Sequence, residues 1–317
     1  MHPLAPLAKL YGKIARWHGA YRAKRAYFAS IPVISVGNIT VGGTGKTTLV
    51  EALAHHYATS GHRVAIVSRG YGGSEKKPLL VHPHLHSARE VGDEPYALAT
   101  ALSALPVQVW VGRHRPSVVR RAEAAGNTLI ILDDGFQRRD VARDVNILTI
   151  DSKKGFGNGL CLPAGPLREP LEEALPRAHF AVSMSEAEVS KQKDWNGLLT
   201  YRLHLTTPLP APLKNKPLVA FTGLARPSKF FDALKASGAK LKATKAYPDH
   251  HVYTQKDLGR LQALAKKHKA TLVTTPKDAP KLPRSFATIL PPKLQGEDWE
   301  DILAKTEEIL ATPPQTA

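Results

Sequence analysis

The chain has 317 residues, 43% apolar and 22% charged, which gives one large or two moderate globular domains and excludes a disordered or fibrous chain. Its 44 lysines and arginines against 27 aspartates and glutamates leave a formal net charge of +17, which favours phosphate-rich partners (nucleic acid, anionic lipid headgroups, polyphosphates) without choosing among them. The one cysteine, Cys161, excludes an internal disulfide or a cysteine-built zinc site and suits a reducing, cytoplasmic setting, and no stretch approaches the ~20 apolar residues of a spanning helix.

Residues 4–28 come first in chain order. Leu7, Leu10, Tyr11, Ile14, Trp17 and Tyr21 recur at three- and four-residue spacing, with Lys9, Lys13, Arg16, Arg22, Lys24 and Arg25 off that stripe. This predicts a basic amphipathic helix within a first segment of 1–30. Two readings stay open: the stripe packs on the protein's own core, as most such helices do, or it lies on an anionic membrane surface.

From Ile31 short apolar runs alternate with helical segments: "IPVISVGN", a helix from 46 to about 60, "RVAIVS", a helix near 94–103, "VQVWV", a helix near 114–125, "TLIILDD" and "VNILTI". That alternation predicts α/β architecture, a doubly wound, mostly parallel sheet of the P-loop NTPase type. A nucleotide-binding domain is expected over 31–170, closed by the Gly- and Pro-rich stretch 151–170. A smaller α/β domain over 171–317 follows, with a connection at 206–217, a helix near 255–268, the strand "ATLVTT" and a terminal helix near 298–310. It is expected to complete the active site.

"SVGNITVGGTGKTTLV", residues 35–50, reads as a strand entering a glycine-rich turn and then a helix. In such a loop, inward-pointing backbone N–H groups and the positive end of the helix hold polyphosphate, and glycines let the backbone approach the anion. The candidate nucleotide site is therefore Thr40, Val41, Gly42, Gly43, Thr44, Gly45, Lys46, Thr47 and Thr48, with Lys46 on the β and γ phosphates and the Thr47 hydroxyl on Mg2+. The match is incomplete, because Thr40 stands where the general pattern has glycine. In "TLIILDDGFQRRD" an apolar strand ends in Asp133 and Asp134, at the edge of the sheet where ligands of open α/β sheets bind, and either acid is a candidate for Mg2+.

A P-loop with these acids leaves a GTPase switch, a ParA-like partition ATPase binding nucleic acid or membrane, or a phosphotransferase. No NKxD string appears for guanine, and the lysine that marks partition ATPases would fall at Val41. A kinase needs a base for its acceptor hydroxyl, and two strings offer one. "REVGDEPYALA" places Asp93 and Glu94 at the start of a helix, where Asp93 serves as an N-cap, a proton acceptor or both. "AYPDHHVY" carries Asp249, His250 and His251 between a strand and a helix, where adjacent side chains diverge too far to share a metal. His82, His84 and His86 read as a solvated loop.

Together "SVGNITVGGTGKT", "SRGYGG", "VGDEP", "LDDGFQ", "LPAGPLRE", "PDHH" and "TTPKDAPK", in this order from 35 to 281, resemble the tetraacyldisaccharide 4'-kinase family of lipid A biosynthesis over nearly the whole chain. The resemblance implies ATP- and Mg2+-dependent phosphorylation of the 4'-hydroxyl of a tetraacylated glucosamine disaccharide 1-phosphate. The work is then done at an anionic membrane surface, the cytoplasmic face of the bacterial inner membrane, with neither nucleic acid nor an obligate protein partner. It further implies that Asp93 is the catalytic acid/base with His250 as its partner, and that Lys46 acts on the transferring phosphate. Asp133, Asp134, Thr47 and Glu94 fall on the metal side, Gln137 helps position nucleotide or metal, and Arg168 faces phosphate as a guanidinium fork. Thr48 and Pro276 depart from the family strings, where a proline and an acid are expected. Arg69, Arg113 and Arg115 follow strands and are candidates for a substrate phosphate.

Overall fold

The computed structural model describes residues 3–185, 195–249 and 251–312. Helix α1 (Ala5–Ala23) leads into a sheet whose strands in chain order are β1 (Val33–Gly37), β2 (Val64–Ser68), β3 (Leu79–Leu80), β4 (Val107–Val111), β5 (Leu129–Asp133), β6 (Val145–Asp151), β7 (Phe180–Ser185) and β8 (Thr200–Thr206). Between them run α2 (Lys46–Thr59), α3 (Ala88–Val91), α4 (Asp93–Ala101), α5 (Arg115–Ala124) and α6 (Leu171–Ala174). A second sheet takes β9 (Pro217–Thr222), β10 (Lys240–Ala246), β11 (Thr271–Thr274) and β12 (Thr288–Ile289), with α7 (Pro227–Ala236) and α8 (Gln255–His268), before the chain returns through β13 (Lys293–Gln295) and α9 (Trp299–Ala311).

The large sheet has the order β13-β8-β7-β6-β1-β5-β2-β4-β3 and is parallel except at its two edge pairs. Strands β1, β2, β5 and β6 are buried at every position, which explains why Val, Ile and Leu dominate them, with few polar residues such as Ser35, Asn146 and Thr149 between. β1 lies between β5 and β6: the chain passes from β1 across β5 to β2, and later from β5 back across β1 to β6, so these connections run in opposite directions and open a crevice at the carboxyl end of β1. The small sheet, β10-β9-β11-β12, is parallel throughout.

The large sheet does not stop at 170. β6 offers a free edge to β7, pairing Ile147 with Phe180, and β7 pairs onward with β8. The C-terminus then folds back, and Ile302 and Leu303 of α9 enter the same core as Leu49, Leu53 and Val145. The 151–170 stretch is a packed loop, with Cys161, Ala164 and Leu167 buried with Phe136 and Ile39. The 206–217 stretch is the crossing from β8 to β9.

Helix α1 settles one of its two open readings. Its packed face is made of small residues, Ala8, Gly12 and Gly19, and a Cβ on Gly12 would stand 3.1 Å from Pro170 Cγ. The apolar stripe points the other way, with Leu7, Ile14 and Trp17 left 53%, 57% and 68% exposed. The stripe is not core.

Candidate active site

β1 ends at Gly37, where a Cβ would come within 2.5 Å of the Phe136 Cβ, so only glycine lets the two loops touch. The chain then curls through 38–45 into α2. Asn38 braces the curl: its Nδ2 donates to the carbonyls of Thr40 (2.7 Å) and Gly42 (3.3 Å), and its Oδ1 accepts from Lys46 Nζ at 2.9 Å. Gly42 and Gly45 hold φ of 111° and 84°, which L side chains rarely adopt. Thr44 is tied to Thr149 at 2.7 Å. The first turn of α2 holds no acid, so its partial positive charge stays available for an anion. Thr40 and Val41 lie on the outer flank of the loop, against Leu167 and Pro166, and Thr48 continues α2.

Two adjacent acids cap β5 and behave differently. Asp133, inside the strand, is buried and accepts from Ser68 Oγ at 3.3 Å, while its Oδ1 has no hydrogen-bond partner. Burial, then the nearby Glu94 and Asp134 carboxylates, push its pKa from 3.8 up to about 7. Asp134 turns out of the strand at a φ of 51° and meets Lys46 at 3.4 Å and Arg168 at 3.2 Å. Burial works against its charge, but Lys46 and Arg168 outweigh burial and hold its carboxyl below the usual range. Arg168 also reaches Gln137 Oε1 at 3.4 Å, and Gln137 Nε2 donates to the Asn38 carbonyl, closing a network from Lys46 through both acid-side loops.

Asp93 is the first residue of α4; Gly92, at a φ of 95°, takes the cap position, so the N-cap reading of Asp93 does not hold. Its buried carboxylate meets Lys281 Nζ at 2.7 Å. Glu94 Oε2 accepts from Thr47 Oγ1 at 3.4 Å, and its Oε1 is 4.0 Å from Lys277 Nζ, which also reaches Asp249 at 3.4 Å. Lys277 and Lys281 both belong to the small-sheet segment after β11. That segment is anchored by Asp278, fully buried, which accepts from Thr222 Oγ1 (2.7 Å), Thr275 Oγ1 (2.7 Å), Gly223 N (3.0 Å) and Tyr253 OH (3.0 Å).

A cleft of about 960 Å3 joins these parts, with Lys46, Asp133 and Asp134 on its floor, Asp249 and Lys277 on the small-sheet side and Ile14 of α1 at its rim. Thr47, Lys46, Asp133, Asp134, Glu94, Gln137 and Arg168 thus converge. His250 lies outside the described residues. Its neighbour His251 turns to Asp257, at 3.1 Å, and stacks on Tyr247. Arg115 is the first residue of α5, not a loop residue, and is buried, donating to the Asp133 carbonyl at 2.8 Å. Sequence reasoning does not single out Lys281; the signal present is the four-residue spacing of Lys277 and Lys281 inside "TTPKDAPK".

Known proteins resemble the chain over most of its length. The family model described as tetraacyldisaccharide-1-P 4'-kinase matches residues 1–305. A tetraacyldisaccharide 4'-kinase of Methylobacterium nodulans is 43% identical over 311 residues, 95% of this chain and 89% of the relative. One of Gluconobacter oxydans is 43% identical over 271 residues, 83% of this chain and 79% of the relative. The crystal structure of an "apo" form of LpxK from Aquifex aeolicus in complex with ATP superposes with a TM-score of 0.79 at 32% identity, covering 96% of this chain and 98% of that one. On the match along nearly its whole length, the chain belongs to the tetraacyldisaccharide-1-P 4'-kinase family.

Proposed function

We propose that this protein transfers the γ-phosphoryl group of ATP to the 4'-hydroxyl of a tetraacylated glucosamine disaccharide 1-phosphate. The observation that carries the reading is one cleft with a phosphate loop and Lys46 on its floor, Glu94 of α4 in its wall next to the buried Asp93, and an exposed apolar helix at its rim. The loop N–H groups and Lys46 hold the polyphosphate, Arg168 and Gln137 fix the acid-side loop against it, and Asp93 takes the proton of the attacking hydroxyl. Lys281 holds the Asp93 carboxylate in place until the acceptor arrives, and His250 is the second member of that pair.

The residues fit Mg2+. Asp133 keeps a buried oxygen without a partner, and the Thr47 hydroxyl and Glu94 already meet at 3.4 Å beside it. Among the described residues no three His, Cys, Asp or Glu form a ready cage, as suits an ion held by one or two carboxylates, phosphate oxygens and water. Thr47, Asp133, Asp134 and Glu94 would hold it, and it would neutralise charge on the transferring phosphate.

Among the described residues no helix is long and apolar enough to cross a membrane. The exposed stripe of α1 with its six flanking cations supports a peripheral seat on an anionic leaflet, the cytoplasmic face of the inner membrane, where acyl chains and headgroup reach the cleft together. Transfer of labelled phosphate from ATP to the disaccharide acceptor tests the reading. The parent chain should label the lipid and Asp93→Ala should not. ATP hydrolysis stimulated by DNA, with no labelled lipid, would overturn it in favour of a partition ATPase.

A further inference from the structure

Arg226, at the N-cap of α7, and Lys229 in its first turn cross from the small sheet to the large one and share one oxygen of Asp151, the last residue of β6. Arg226 Nη1 stands 3.2 Å and Lys229 Nζ 3.3 Å from Asp151 Oδ2, while Asp151 Oδ1 accepts from the backbone N–H groups of Lys153 (3.1 Å) and Lys154 (3.2 Å). Asp151 is buried, so it is a fixed anchor rather than a mobile surface acid.

The other end of the guanidinium lies against the phosphate loop. A Cβ built on Gly42 would fall 2.8 Å from Arg226 Nη2, and Arg226 lines the same cleft as Gly42, Gly43 and Lys46. Two cations on one carboxylate leave a positive charge directed at the anion site. A guanidinium can hold a carboxylate along one edge and keep N–H donors for a phosphate on another, which an ammonium cannot.

We propose that Arg226 is a further nucleotide contact, a cation delivered by the small sheet and aimed by Asp151 onto the terminal phosphates held by the loop. This rests on reading the loop as the ATP site. It gives the crossing between sheets a chemical role: the guanidinium meets the polyphosphate only while the small sheet is docked, so docking and phosphate charge favour each other. In the alternative, the Arg226–Asp151 pair is a latch between sheets with no contact to nucleotide.

Binding of AMP, ADP and a non-hydrolysable ATP analogue to the parent chain and to Arg226→Ala, Arg226→Lys, Asp151→Asn and Lys46→Ala separates the two, with thermal melting as a fold control. Arg226→Ala should weaken the ATP analogue about tenfold or more, as expected for loss of a charge-assisted phosphate contact, and leave AMP within about twofold. Arg226→Lys should recover part of the loss. Asp151→Asn should keep the affinity for the analogue and lower kcat, because the cation stays but its aim is lost. Equal weakening of AMP and the analogue, or unchanged binding of both, would overturn the proposal in favour of the latch. A parent chain that binds none of the three, or a Lys46→Ala variant that binds them all normally, would instead overturn the loop as the ATP site.

Discussion

Replacing Asp133 with asparagine asks whether this buried acid is kept for a cation at the expense of the fold. Its carboxyl has one hydrogen bond from Ser68 and one oxygen without a partner, and burial carries its pKa from 3.8 to about 7. The folded chain therefore holds the proton more tightly than the unfolded chain. Stability should fall as pH rises from about 4 to about 7 and stay low above that. At about 1.36 kcal/mol per pH unit, the separation between 3.8 and about 7 corresponds to about 4 kcal/mol, which relaxation and water entry reduce to about 1–3 kcal/mol. Asparagine keeps the shape and removes the charge. In urea unfolding without metal or nucleotide, Asp133→Asn should gain about 1–3 kcal/mol at pH 8 and almost nothing near pH 4. The same variant should lose the stabilisation that Mg2+ with ATP gives the parent. A variant no more stable than the parent at pH 8, or a gain independent of pH, refutes the argument and makes Asp133 an ordinary structural acid.

Three further outcomes follow from the geometry. Lys281→Met leaves Asp93 buried without its 2.7 Å cation; unfolding should cost about 3 kcal/mol less and phosphate transfer should collapse with nucleotide affinity little changed, read by urea titration and by the labelled-ATP assay. Asp278→Ala removes the acceptor of Thr222, Gly223, Tyr253 and Thr275; about 3 kcal/mol or more of stability should go, with transfer lost because Lys277 and Lys281 lose their platform, and a small change in melting would disprove that anchoring role. Ile14→Glu combined with Trp17→Glu changes side chains that are 57% and 68% exposed, so melting and nucleotide binding should hold while flotation with anionic vesicles falls. Deleting α1 altogether would be a poorer test, since it would also uncover the core beneath Ala8 and Gly12.

Where the physics is local, the sequence carried it. Strands buried on both faces have to be mostly apolar, so β1, β2, β5 and β6 could be read directly, and the glycines of 42–45 marked the loop. That the large sheet runs on past 170 could not be read, because the pairing of β7 with β6 and of β8 with β7 is set by the free edge of β6 and leaves no local signal in the letters. Helix α1 shows the same limit in another form: spacing located its apolar stripe, but the inward face was chosen by Ala8, Gly12 and Gly19, whose small size permits close approach without any hydropathy signal.

The acids at the cleft show why partners were harder to read than positions. Asp133 and Asp134 are neighbours of identical chemistry, and their difference comes from one backbone step. The first keeps the strand conformation and faces inward under Ser68; the second turns to a φ of 51° and meets Lys46 and Arg168. One is left resisting ionisation and the other is held ionised. The same holds for Asp93, whose cation arrives from 188 positions away in the sequence, on a segment held by a buried aspartate of the other sheet. Three carboxylates of the large-sheet side thus face small-sheet cations: Asp93 faces Lys281, Glu94 faces Lys277 and Asp151 faces Arg226. Substrate phosphates would compete for those cations, so the charge that closes the cleft is the charge that the reaction needs.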